Sequence, residues 1–167
     1  MLNRKDNVFD DSQITRFLEV LDQVEASGQP GVLVTIGTGS KHFSTGFDLL
    51  YWAANFENFK CSIVRFPLLM ARIMEFPLPT LCIFNGNAIA GGYLLGLAHE
   101  SRIMNANQGV ICLSELKIGF PMPRPYMKIC EAKLTPSVCA KAVYAVTYTQ
   151  AEALKHGLID DTYADEE

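Results

Sequence analysis

Little in this sequence staples it, charges it or anchors it. Five cysteines, Cys61, Cys82, Cys112, Cys130 and Cys139, show no CxxC spacing and sit inside apolar runs. The odd count and the missing pairing argue against a disulfide framework and for buried thiols in a reducing compartment. Three histidines, His42, His99 and His156, lie far apart. No HxxxH or His/Cys spacing appears, so no metal site is expected. Charged residues make up only 19% of the chain, the net charge is −4, and Lys and Arg form no cluster. That leaves no electrostatic basis for binding nucleic acid. No apolar run reaches the roughly 20 residues of a membrane span. The opening "MLNRKDNVFDD" carries acids early, unlike a secretory signal or a basic transit peptide. The closing "YADEE" is not an address of the Ser-Lys-Leu type.

Two reactive motifs are absent as well. "GTGSKHFSTG" places His42 where a dinucleotide loop needs its third glycine, and no Gly-Lys-Ser/Thr ending follows. A Ser-His-Asp hydrolase would show G-x-S-x-G. Ser44, in "HFSTG", lacks the first glycine and reads as a turn serine.

What is present is a core. At 167 residues and 49% hydrophobic content, the chain suits one buried α/β domain over 1–167. Ile14, Phe17, Leu18, Leu21 and Val24 recur at helical spacing after Asp11 and Ser12, and Gly28 stops the run. "GVLVTIG", 31–37, is continuous, β-branched and bounded by glycine, as in a buried strand. "TGSKHFSTGFDL" is expected as a long turn. A helix from about Cys61 to Glu75, started or interrupted near Pro67, precedes a strand in "LPTLCIFNG". A helix from about Ala90 to Ala98 comes next, then short strands near Ser101 to Met104 and Val110 to Leu113, then a proline-stiffened loop, "GFPMPRP". Two C-terminal helices have clear starts: Thr135 before Pro136, and Thr149 with Glu152 as a capping box, ending at Gly157. Alternating strands and helices with long crossovers predict layered α/β structure built from right-handed βαβ units.

Two features invite chemistry. "FNGNAIAGGYLLG", 84–96, sets Gly91 and Gly92 side by side where an apolar strand turns into an apolar helix. Glycine is costly inside either element. Gly46, in "FSTGFD", also follows a strand-like stretch. Such glycines free the backbone for close approach to a ligand, and two of them can aim two N–H groups at one oxygen. A helix starting at Gly91 adds its N-terminal dipole. The second feature is Glu115, among Ile111, Cys112, Leu113, Leu116 and Ile118. Apolar surroundings would raise its pKa toward the range of a general base. Beside Lys117 it also fits a strand-end glutamate facing solvent.

"KHFSTGFDL", "LPTLCIFNGNAIAGGYLLGLAHESRIM", "SELKIGFPMP" and "TQAEALKHGLIDD", in that order and spacing, resemble the crotonase (enoyl-CoA hydratase/isomerase) superfamily over nearly the whole chain. "SELKIG" and "LGLAHESRIMNANQGV" are most similar to the plant and peroxisomal Δ3,Δ2-enoyl-CoA isomerases. The resemblance implies a crotonase-like ββα-superhelix, truncated at its N-terminal strand and C-terminal helices. It implies that the N–H groups of Phe47 and Gly91 bind an acyl-thioester oxygen and that Glu115 moves the proton. Thr45, Gly46, Asp48, Ala90, Gly92 and Leu94 would line the substrate site. Hydratases of the family carry a second glutamate where Leu94 stands. Adding water needs two groups to hold it, whereas one base can carry a proton from C2 to C4, so the pattern favours an isomerase.

The implied ligand is a coenzyme A thioester, as substrate, with no metal or redox cofactor. The implied assembly is a homotrimer or a larger protein complex, in a peroxisome or mitochondrion. Two other readings stand beside the isomerase: a catalytically inactive structural subunit of a larger assembly, such as a mitochondrial one, and an acyl-CoA-binding module. A basic residue that members of the family hold near the coenzyme A adenine is Leu50 here, with Lys41 as a substitute. Arg124 and the prolines of "PMPRP" shape the acyl pocket or fix a surface loop. Tyr51, Trp52 and Phe56 line that pocket or belong to the core.

Overall fold

The computed structural model describes residues 5–164. The first half of the chain holds α1 (Asp11–Ala26), β1 (Leu33–Ile36), β2 (His42–Ser44), α2 (Leu49–Ala54), α3 (Phe56–Met74), β3 (Thr80–Phe84) and β4 (Asn87–Ile89). The second half holds α4 (Gly91–Leu97), β5 (Ser101–Asn105), β6 (Ile111–Cys112), α5 (Arg124–Lys133), α6 (Pro136–Val143), β7 (Thr147–Tyr148), α7 (Gln150–Lys155) and β8 (Asp161–Tyr163). Strands alternate between two sheets as far as β6; β7 stays in the second sheet and β8 returns to the first. One has the order β1-β3-β5-β8 and is parallel throughout. The other has the order β2-β4-β6-β7, parallel except for β7. Each pair of strands followed by helix makes one turn of the expected ββα-superhelix.

The corner inside each pair is tied to the next corner by asparagine. The Asn85 side chain accepts from the Gly37 N–H at 3.0 Å and donates to the Gly37 carbonyl at 2.9 Å. Asn87 Oδ1 accepts from the Val110 N–H at 3.0 Å. These amides carry the hydrogen bonding through bends where the strand ladders are interrupted.

Four expectations change. "GVLVTIG" is not a buried strand: β1 is the edge of its sheet, and Val32, Val34 and Ile36 are 57%, 48% and 44% exposed. A continuous apolar run cannot show whether both faces are covered. On that edge, α1 and β1 flank a groove of about 260 Å³. Second, the turn expected over "TGSKHFSTGFDL" contains β2 and leads into α2. Third, the proline-rich loop runs straight into α5, with Pro125 in the first helical turn, where a missing N–H is tolerated.

α3 also starts earlier than expected and passes through Pro67 without a break. Proline leaves the carbonyl four residues earlier without its helical donor. That carbonyl belongs to Ile63, and the Tyr126 hydroxyl of α5 donates to it at 3.3 Å.

The α4–β5 junction buries a polar group, His99, completely. Its Nδ1 donates to the Leu95 carbonyl at 3.0 Å, so Nε2 accepts from the Thr35 hydroxyl at 2.8 Å. Burial pushes the imidazole down to about 4, helped by the cations of Arg102 and Lys133. A folded pKa below the unfolded one means that unfolding takes up a proton between about 6.5 and 4. His99 should therefore withdraw roughly 3 kcal/mol of stability as pH falls through that window. Urea unfolding at stepped pH checks this: His99→Asn should unfold more easily at pH 7 but lose less stability on acidification than the wild type.

Candidate active site

Three parallel strands of one sheet end side by side. Ser44 of β2 pairs with Ala88 of β4, and Ile89 of β4 pairs with Cys112 of β6. The chain leaves β2 into Thr45, Gly46 and Phe47, leaves β4 into Ala90 and Gly91, and leaves β6 into Ser114 and Glu115. Carboxyl ends of parallel strands are where open α/β sheets gather ligand-binding loops.

Gly46 has φ +86°, and a β-carbon there would stand 2.9 Å from the Gly91 nitrogen. Both facts require glycine. Phe9 bridges this segment: its N–H donates to the Gly46 carbonyl at 2.8 Å, and its carbonyl accepts from the Asp48 N–H at 2.9 Å. Those bonds leave the Phe47 N–H facing away from Phe9. The Gly91 N–H belongs to the first residue of α4, where no intrahelical partner exists. Among the described residues, neither N–H has a hydrogen-bond acceptor.

The glycine pair works differently from expectation. Neither Gly91 nor Gly92 has positive φ. Gly92 is required for space: a β-carbon would stand 2.4 Å from the Ser44 carbonyl oxygen. At Gly91 the nearest contact would be 3.5 Å, ordinary van der Waals distance. The unusual backbone belongs to Ala90, with φ 51° and ψ −125°. An L-residue held there costs about 1–3 kcal/mol.

Phe66 of α3 forms the floor. Its Cζ would lie 3.7 Å from a β-carbon on Gly91, and its ring centroid is 5.0 Å from that of Phe47 and 6.1 Å from that of Tyr126. Phe66 and Tyr126 carry no local signal of this role. Only a proline inside a helical pattern hints that some side chain must serve the Ile63 carbonyl.

Glu115 does not end a strand. It opens a 3-10 turn, Glu115–Ile118, after β6. Its Oε2 is buried with no hydrogen-bond partner among the described residues. Burial raises its pKa above the ordinary carboxylate value. Lys117 turns elsewhere, its Nζ 3.5 Å from both Cys112 Sγ and Thr147 Oγ1. From α5, the Tyr126 hydroxyl is raised by burial and by the Glu115 charge, and the Cys130 thiol is pushed up to about 12, chiefly by burial. The α5 groups near enough to feel this carboxylate thus do not ionise near neutrality. Such a group can act as a base and then return its proton.

Other positions sort plainly. Leu94 is buried on the first turn of α4. Thr45 is tied to Asp6: its N–H donates to that carbonyl at 3.1 Å. Asp48 caps α2, accepting from the Tyr51 N–H at 2.9 Å. Trp52 is core, its indole N–H donating to the Phe9 carbonyl at 3.0 Å, with Tyr51 packed edge-on at 4.8 Å. Phe56, Leu50, Lys41 and Arg124 are exposed, and Arg124 opens α5. The groove beside α1 includes neither Phe47, Gly91 nor Glu115.

Alternating strands in two sheets, with a backbone-lined site at the strand ends, define a crotonase-type fold. An enoyl-CoA hydratase of Mycobacterium marinum has this architecture: it superposes with a TM-score of 0.89 at 27% identity, covering 98% of this chain and 71% of its own. The chain belongs to the enoyl-CoA hydratase/isomerase family, whose sequence model matches residues 1–167. It is similar to enoyl-CoA delta isomerase 3 of Arabidopsis thaliana, 29% identical over 165 residues, covering 94% of this chain and 68% of that one. It is also similar to the peroxisomal enoyl-CoA delta isomerase 2 of Arabidopsis thaliana, 28% identical over 169 residues, covering 95% and 70%.

The two glycines should separate under substitution. Gly92→Ala drives a methyl into the Ser44 carbonyl and should cost about 3 kcal/mol. Gly91→Ala meets ordinary contacts and gains helix propensity, so it should stay within about 1 kcal/mol of wild type. Chemical denaturation of the two variants gives the comparison.

Proposed function

We propose that the protein is a Δ3,Δ2-enoyl-CoA isomerase. The observation that supports this most is one half-buried carboxylate, Glu115, at the same sheet end as two backbone N–H groups, its inner oxygen and both N–H groups having no hydrogen-bond partner among the described residues. The thioester oxygen of a 3-enoyl-CoA accepts from Phe47 and Gly91. Glu115 takes a proton from C2, and the electron pair passes through C3 and C1 as a dienolate whose charge rests on that oxygen. The same carboxyl then delivers the proton to C4, leaving the double bond between C2 and C3. Loss of one such donor costs about 3–4 kcal/mol of transition-state stabilisation in other enzymes.

Leu94 supports isomerisation over hydration, because an apolar group there offers nothing to hold a water molecule against the double bond. The substrate is a coenzyme A thioester, and the steps draw on no metal or redox cofactor. Gly46, Ala90 and Gly92 shape the oxygen site, while Thr45 and Asp48 hold the segment around Phe47. The peroxisomal isomerase among the relatives favours a peroxisome over a mitochondrion. Assembly as a homotrimer or within a larger complex rests on the family resemblance alone.

Purified protein given a 3-enoyl-CoA should form the 2-trans-enoyl-CoA, followed by ultraviolet absorbance, with no 3-hydroxyacyl product. Glu115→Gln should lower turnover by about 10²–10⁴-fold. Wild-type turnover no better than that variant would remove the isomerase reading, and binding without turnover would turn it into the acyl-CoA-binding one.

Stability should move the other way. Glu115 has a folded pKa above its unfolded value, so it favours the fold below pH 4.5 and opposes it as pH rises past its folded pKa. Glu115→Gln should therefore melt at a higher temperature than the wild type at pH 7. The acidic limb of kcat/KM, which reports the free base, should lie above pH 4.5.

A further inference from the structure

Ala90 immediately precedes the Gly91 N–H, and its φ of 51° and ψ of −125° match the first central position of a type II′ turn. Glycine fills that position freely, whereas a residue with a β-carbon resists it. The permissive residues, Gly91 and Gly92, stand one and two places further on, with no positive φ. The strain is thus on the one residue of the three that carries a side chain. It is held from both sides: the Ala90 N–H donates to the Cys112 carbonyl at 2.8 Å, and its carbonyl accepts from the Leu94 N–H at 3.1 Å. The methyl points at the other strand end, 3.1 Å from where a β-carbon on Gly46 would stand.

Resting on the isomerase reading, we propose that Ala90 is a positioning residue. Its methyl, set against Gly46, confines the Ala90–Gly91 peptide to one orientation and so holds the Gly91 N–H beside the Gly46–Phe47 backbone. A glycine at 90 would reach the same φ and ψ without strain, but would also open neighbouring wells. The N–H would then be present but less confined.

The test is Ala90→Gly in the full chain, with Ala90→Ser as the variant that keeps a β-carbon. The melting temperature of Ala90→Gly should be no lower than wild type, because relief of strain offsets the added freedom of the unfolded chain. Its ¹⁵N order parameter at the Gly91 amide should fall below the roughly 0.85 of rigid backbone. Its kcat should drop about 10-fold with KM within about 2-fold, the pattern of an interaction made in the transition state. Ala90→Ser should restore the order parameter and most of kcat. An unchanged order parameter, an unchanged kcat, or a lower melting temperature in Ala90→Gly would each overturn the proposal. Should the wild type itself fail to turn over, the isomerase reading falls separately, and the order parameter still decides whether Ala90 holds this peptide.

Discussion

The site depends on the parallel pairing of β2, β4 and β6. These strands have three, three and two residues, so few ladder bonds hold them. Parallel pairing nevertheless does what no local motif can: it brings three chain segments, far apart in sequence, out at one edge. A slip of one residue between β2 and β4 would turn Gly46 away from Gly91 and put side chains where backbone now meets backbone. The register is held by side chains at and around the strand ends. Asn85 and Asn87 lock the corners behind them, and Phe66 packs beneath the residues in front. Gly92 fits against the Ser44 carbonyl with no room for a β-carbon.

Stability is given up where the strands end. Ala90 sits in a backbone region that glycine prefers, and Glu115 has an oxygen that no group among the described residues satisfies. Each departure costs free energy, and a chain selected only for folding would remove both. They fall within one cluster, at the ends of adjacent strands. His99 is the contrast. It is buried more deeply than either, yet both ring nitrogens have partners and its neutral form fits the fold, so it is a satisfied core residue.

Much of the framework was legible in the sequence, for physical reasons that also mark the limits. α1 carries a full apolar stripe, and α7 carries a complete capping box, so both follow from local pattern. β2 and β4 do not, because they are short, partly polar and exist only through pairing with strands far away in sequence. The glycines at 46, 91 and 92 stood out because close backbone approach leaves composition as its trace. Which of them was forced by φ and which by space could not be read, since a sequence does not record what lies opposite. Ala90, the strained residue, was hidden because alanine is unremarkable at the start of a helix. Glu115 was visible as an acid among apolar residues. Only the fold shows Lys117 turned away and an unpaired carboxylate oxygen inside.

α3 reaches both halves of the site through neighbouring residues. Phe66 lies under Gly91 and Phe47. Pro67, the next residue, withholds a helical hydrogen bond from the Ile63 carbonyl, and Tyr126 supplies the replacement from α5. α5 is also the helix whose Tyr126 and Cys130 feel the charge of Glu115. A helix-breaking residue thereby becomes a docking point. The backbone donor that proline lacks is replaced by a side chain from another helix, and that bond fixes α5 against α3. The α5 side chains that feel the Glu115 charge and the aromatic floor under the two N–H groups are in this way parts of one packed unit, Phe66 on Tyr126. Loosening that contact would reach the carboxylate and the backbone donors together.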